Sequence, residues 1–190
     1  MPHPALKVIS YSSLSDWQYC PHYFKLTAID KLKPFEKTVY SHWGTLIHKY
    51  MQNVLLEKLT AEEACNKLRR TWSKFCKLYG EEGSIGWSES GSKAILSIKE
   101  KLIEEFGSYE VLQVEERLAV PVPDDRFPQK FKGFIDIVLE VADGRIVVID
   151  FKSCANSYLF NKFRDKFKDY QLSLYKFFYS KDRKSTRLNS

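Results

Sequence analysis

Two apolar runs, Gly133-Phe134-Ile135-Asp136-Ile137 and Val147-Val148-Ile149-Asp150-Phe151-Lys152, carry charges where a buried strand tolerates few. Both are rich in β-branched and aromatic residues, so together they predict a β-hairpin. A charge inside such a strand is costly unless it is paired or binds metal. Two acids and a lysine on one hairpin therefore point to a metal site suited to phosphodiester hydrolysis. The blander alternative, two strands with stray charges, leaves three ionisable groups to be explained one by one.

The turn decides whether these groups meet. Side chains alternate along a strand, so Asp150 and Lys152 share one face and Phe151 takes the other. With a two-residue turn at Asp143-Gly144, Asp136 pairs with Phe151 and misses the site. With a three-residue loop, Ala142-Asp143-Gly144, Val141 pairs with Arg145 and Asp136 falls opposite Asp150. Three-residue hairpin loops need a residue in the left-handed region, which Gly144 supplies. A metal site on this hairpin requires the three-residue loop.

The chain has 190 residues, enough for one domain with a proper core. Its hydrophobic content of 44% and charged content of 28% are those of an ordinary globular chain. No apolar run reaches membrane-spanning length, and Met1-Pro2-His3-Pro4 has no signal-peptide pattern. The cysteines Cys20, Cys65, Cys76 and Cys154 form no Cys-x-x-Cys pair, as expected for a reduced, cytoplasmic protein without a membrane partner. The net charge is +6, of which residues 181–190 carry +3. The body is only mildly basic, which is compatible with nucleic-acid binding but weak evidence for it. The segment 181–190 lacks apolar periodicity and is expected to be a non-native or disordered tail.

Local signals set the expected elements. A serine-capped helix opens at Ser12-Ser13-Leu14-Ser15-Asp16-Trp17 and stops near Cys20-Pro21. A short helix follows from His22 to Ala28. Apolar residues at spacings of three and four predict a helix over 38–59. Another covers 60–79, with Thr60 and Glu63 as a capping box. A third covers 88–106 and ends at Gly107. From Tyr109 the period changes to two. A strand runs from Val111 to Val122, the hairpin covers 130–141 and 145–153, and a helix returns over 161–179. This order predicts an α+β fold, sandwich-like, with a small mixed central sheet flanked by helices. The expected organisation is a single domain over 1–180, helical over 10–107, with the catalytic sheet and helix over 109–180.

Other residues could serve the same chemistry. His48 sits one helical turn after Gly44, yet a lone helical histidine is more often a satisfied polar residue than a ligand. Alternation places Glu116 among apolar neighbours and turns Glu115 toward Gln113 and Arg117; either could support the acids, and a solvated edge charge is the plainer explanation. Gln171 and Tyr175 are four apart and share a helix face. Residues 158–170 interleave aromatics with Lys162, Arg164, Lys166 and Lys168. Phe160, Phe163 and Phe167 have the spacing of a buried stripe, while the cations form a solvated face able to line a groove.

In chain order, Ser10-Tyr11-Ser12-Ser13-Leu14 with Gln18-Tyr19-Cys20-Pro21, Gly44-Thr45-Leu46-Ile47-His48, Gly133-Phe134-Ile135-Asp136, Asp150-Phe151-Lys152 and Gln171-Leu172-Ser173-Leu174-Tyr175 resemble the PD-(D/E)XK nuclease superfamily. The likeness is to its RecB-like exonuclease branch, related to CRISPR-adaptation and AddB-type nucleases. Asp-x-Lys alone is weak; five segments in the family's order are specific. The resemblance implies a restriction-endonuclease-like core with an N-terminal helical part. It also implies a metal-dependent deoxyribonuclease, an exonuclease in recombination, repair or phage DNA processing, in a bacterial or phage-infected cytoplasm.

The resemblance further implies that His48, Asp136, Asp150 and the Phe151 carbonyl hold one or two Mg2+ or Mn2+ ions, since hard cations favour oxygen and manganese accepts imidazole. Asp136, Asp150, Lys152 and Glu115 become the catalytic set, with Glu115 matching the family's acidic position better than Glu116. Gln171, Tyr175, Lys168 and Arg164 become DNA contacts. Some members of the branch hold an iron–sulfur cluster through one N-terminal and three C-terminal cysteines. Cys20 matches the first, but no C-terminal trio is present, so a cluster-free enzyme is favoured. The alternatives are a CRISPR-adaptation type iron–sulfur nuclease and an inactive DNA-binding module of the same fold. DNA is the implied partner, and a helicase, a recombinase, a single-strand-binding protein or oligomerisation could supply processivity.

Overall fold

Capping chemistry sets the helix boundaries. The computed structural model describes residues 6–32, 38–81, 84–152 and 167–188, with side chains described only for 170–182 in the last stretch. Helix α1 (Tyr11–Tyr19) starts at Ser10, whose side chain accepts from the Ser13 N–H while Ser13 Oγ accepts from Ser10 N–H. It ends at Cys20, before Pro21. Helix α2 (Pro21–Phe24) runs into a π-helical turn, Lys25–Ile29. Helix α3 spans Val39–Leu55, and α4 (Ala61–Tyr79) begins with the expected Thr60–Glu63 capping box. Helix α5 spans Trp87–Phe106 and closes at Gly107.

A two-residue strand, β1 (Val8–Ile9), precedes all the helices and pairs in parallel with β3 (Lys130–Val141). The sequence does not announce it, because two residues are too few to display a period. β2 (Tyr109–Pro121) lies beside β3, and β4 (Ile146–Ile149) pairs antiparallel with β3. The last helix, α6 (Phe167–Leu188), continues into the segment beyond residue 180. The fold is therefore α+β with a mixed four-stranded sheet, and β3 is the strand its neighbours share. None of the described helices is long and apolar enough to cross a membrane.

The hairpin has the register a shared acid face needs. The ladder pairs Ile137 with Ile149 and Glu140 with Ile146. Val141 N–H donates to Arg145 O at 3.0 Å and Gly144 N–H to Val141 O at 2.8 Å. Gly144 takes φ +78°, the left-handed conformation that a three-residue loop requires. Continuing the same register by one rung sets Asp136 opposite Asp150.

Uninterrupted alternation in β2 is not what the chain adopts. Glu115 has φ +53°, a left-handed residue in mid-strand, as in a β-bulge. The inward phase shifts by one across it. Tyr109 and Val111 pack on the helical core, whereas Leu118 and Val120 are the buried residues beyond it.

The chain forms two compact units: Met1–Glu36, Glu115–Ile135 and Lys162–Ser190 make one, and Lys37–Val114 with Asp136–Asn161 the other. In the first, Phe131 stacks on Phe178 with ring centroids 4.1 Å apart and meets Tyr175 edge-on. In the second, α3, α4 and α5 enclose Trp43, Leu68, Trp72 and Ile95, backed by Ile137 and Leu139 of β3. Trp72 is fully buried and its indole N–H donates to Ser84 O at 2.7 Å. Burying an indole removes on the order of 200 Å² from water, or about 5 kcal/mol at ~25 cal/mol per Å².

Candidate active site

The second unit brings five of the sequence-predicted residues together. β3 carries Asp136 at the point where the backbone ladder with β4 ends, and Asp150, Phe151 and Lys152 follow β4 directly. In place of another backbone pair, the Phe151 N–H donates to Asp136 Oδ2 at 2.7 Å. That bond fixes both the Asp136 carboxylate and the Phe151 peptide. Helix α3 delivers His48, whose Nδ1 lies 3.3 Å from Asp136 Oδ1. The His48 ring also meets Phe151 edge-on, with centroids 5.9 Å apart. Lys152 ion-pairs with Asp150. Ile47, Tyr50 and Met51 are buried on α3 and hold the helix that carries the histidine in place.

Burial and charge pull against each other here. The Asp150 side chain is only 10% exposed. Its carboxyl is raised above the ordinary range, chiefly because burial penalises the anion; Lys152 and His48 oppose this, and the charge of Asp136 adds to it. Burial pushes His48 down. The hydrogen bond and charge of Asp136 and the charge of Asp150 outweigh it, and the net direction is up. Acids and cations held this close, with low exposure, are an arrangement found at functional sites.

The donors suit a hard divalent cation in kind: two carboxylates, an imidazole and a peptide carbonyl. Among the described residues, no three His, Cys, Asp or Glu side chains are already gathered at metal-holding distance. His48 lies against Asp136 and Lys152 ion-pairs with Asp150 instead.

The remaining sequence-predicted residues whose side chains are described belong to the first unit. Glu115 belongs to the first unit and is exposed, and Glu116 beside it is half-buried. Gln171 and Tyr175 also belong to that unit and share a face of α6, where Gln171 Nε2 donates to Tyr175 Oη at 3.0 Å. Tyr175 covers Gly133: a Cβ there would stand 2.6 Å from the ring. A glycine inside an apolar strand was the sequence signal for such a close approach. Cys20 caps α2, its Sγ accepting from the Tyr23 N–H at 3.5 Å. Arg164 and the side chain of Lys168 lie outside the described residues, as does Cys154.

Searches of the curated proteins and of the solved structures found no match for this chain. The family model for the PD-(D/E)XK nuclease superfamily matches residues 8–189. That span contains the whole hairpin with Asp136, Asp150 and Lys152, and all the described elements: the chain belongs to the PD-(D/E)XK nuclease superfamily.

Proposed function

We propose that this chain is a metal-dependent DNA exonuclease of the RecB-like branch, hydrolysing phosphodiester bonds in recombination, repair or phage DNA processing. Superfamily membership supports nuclease chemistry, DNA as its substrate and Mg2+ or Mn2+ as its usual ions. The observation that carries the proposal is the hairpin register, which sets Asp136 opposite Asp150 with His48 against the first and Lys152 against the second.

Asp136, Asp150, His48 and the Phe151 carbonyl would hold one or two ions by exchanging their present pairings for metal contacts. Such an ion, when bound, lowers the pKa of a water and neutralises charge on the scissile phosphate. Asp136 holds the Phe151 peptide by its N–H, which steadies the carbonyl of the same residue. Lys152 is 43% exposed, so its ammonium is open to a phosphate oxygen or a water while it remains anchored on Asp150. There it orients the nucleophile and stabilises developing charge. Glu115, Gln171 and Tyr175 are assigned to this function as a supporting acid and two DNA contacts on the family likeness.

A cleavage assay tests the proposal. Wild type and Asp150→Ala are given end-labelled linear and closed circular DNA with Mg2+, Mn2+ or chelator. Cleavage of linear DNA only, dependent on metal and lost in the variant, is expected. DNA binding without cleavage by wild type under every condition would overturn the enzyme assignment.

A further inference from the structure

Helix α4 carries Arg69, Arg70, Lys74 and Lys77 on its exposed side, with Ser73 among them in a shallow groove. The opposite side is fixed in the core by Ala64, Cys65, Leu68, Trp72 and Cys76. The spacing puts Arg69, Ser73 and Lys77 in one row and Arg70 and Lys74 in the next. None of the four cations forms an ion pair with a described residue. From Ala64 to Gly80 the sequence has no acid at all.

An ordinary solvated helix face mixes its signs, and α5 does so, with Lys93, Lys99 and Lys101 among Glu89, Glu100, Glu104 and Glu105. On α4 the like charges stand three and four residues apart, where they repel each other. The acids of α4, Glu62 and Glu63, are confined to its first turn, where they suit the helix dipole. The dipole accounts for Lys77 in the last turn but not for the two arginines in the middle.

We propose that this face of α4 binds the phosphate backbone of DNA, independently of sequence, through residues other than those of the candidate active site. The proposal rests on the nuclease assignment for its choice of polyanion. Arg69 to Lys77 covers about 12 Å of helix axis. Over that length a duplex presents several phosphates, at one charge per ~1.7 Å. The groove holds cations and a hydroxyl but no aromatic ring, which fits phosphate contacts and offers no platform on which a base could stack. Tyr50 Oη and Thr71 Oγ1, 3.1 Å apart, tie α4 next to Arg70 to α3 just after His48, so the basic face and His48 ride on two helices joined by that bond.

The test is salt-dependent binding of a labelled duplex, in chelator, by wild type and by the variant carrying Arg69→Gln, Arg70→Gln, Lys74→Gln and Lys77→Gln. All four positions are exposed, and circular dichroism with a thermal melt checks the fold. If all four cations meet phosphates, the slope of log K against log salt falls in magnitude by about 3.6 in the variant, and wild type loses roughly 100-fold more affinity than the variant between ~50 and ~200 mM salt. A second variant, Arg69→Lys with Arg70→Lys, keeps the wild-type slope. An unchanged slope and affinity in the glutamine variant overturns the proposal, as does loss of the slope in the lysine variant. Metal-dependent cleavage is measured in parallel. If wild type fails to cleave, the nuclease assignment falls; the binding slopes still decide the α4 surface separately.

Discussion

The Oδ2 atom of Asp136 accepts a hydrogen bond from the backbone N–H of Phe151 at 2.7 Å, immediately beyond the last paired rung, Ile137–Ile149. The side chain thus takes over from the backbone where the two strands part. The same carboxylate faces His48, so one residue organises a peptide and an imidazole.

Asp136→Ala and Asp136→Asn should separate these roles. Both remove a carboxylate and are expected to abolish metal-dependent cleavage. Only the alanine leaves the Phe151 N–H without a partner, at a cost of about 1–3 kcal/mol. Thermal melts of the metal-free proteins should therefore place alanine below asparagine, with asparagine near wild type. Equal melting temperatures would mean that the bond does not hold the hairpin end.

Lys152→Gln is expected to lower the cleavage rate by roughly 10²–10³-fold while leaving Mn2+ binding in place, because the lysine acts on the substrate's charge. Asp150→Ala should lose both. Calorimetric Mn2+ titration alongside rate measurements checks the split, and loss of Mn2+ binding in Lys152→Gln would count against it.

Gly133→Ala puts a Cβ 2.6 Å from the Tyr175 ring, an overpacking expected to cost about 1–3 kcal/mol. The smaller Leu at position 175 should recover part of that loss. Denaturant titration of both singles and of the double variant Gly133→Ala/Tyr175→Leu measures the coupling. Additive effects would show that the ring does not press on this glycine.

Glu115→Gly relieves a left-handed glutamate at φ +53°, and stability is expected to rise by about 1 kcal/mol or hold level. If Glu115 also supports the site acids, the same variant loses cleavage while its melting temperature does not fall. A stable variant with full activity would remove Glu115 from the catalytic set.

The α4 capping box should show itself in pH. The Thr60 N–H and hydroxyl hold the Glu63 carboxyl below its ordinary 4.5. A group whose folded pKa is depressed contributes stability above its unfolded pKa and loses it as pH falls through the folded value. Glu63→Gln should therefore lower the melting temperature near neutral pH and converge with wild type as the pH falls through the depressed folded value. Thr60→Ala is expected to lower it by roughly 2–6 °C.

Local chemistry was legible in the chain. The threonine cap of α4, the proline after Cys20 and the glycine after Phe106 act over three or four residues, so the start of α4 and the ends of α1 and α5 were legible, whereas α1 starts at Tyr11 with Ser10 as its cap, ahead of the expected Ser12. The turn was legible only as two alternatives, and the three-residue loop Ala142-Asp143-Gly144, with Gly144 at φ +78°, is the one that sets Asp136 opposite Asp150. The position of His48 was legible only through its family likeness, since a histidine on a helix has no local reason to be a partner of one aspartate. Its place against Asp136 comes from α3 packing by Ile47, Tyr50 and Met51. β1 needs β3 to exist, because two extended residues gain their hydrogen bonds only from a neighbouring strand. The left-handed Glu115 and the ring of Tyr175 over Gly133 are likewise products of tertiary packing. Alternation and capping describe a residue's neighbours in the chain; which distant group it meets depends on how the elements pack, and that only the tertiary structure decided.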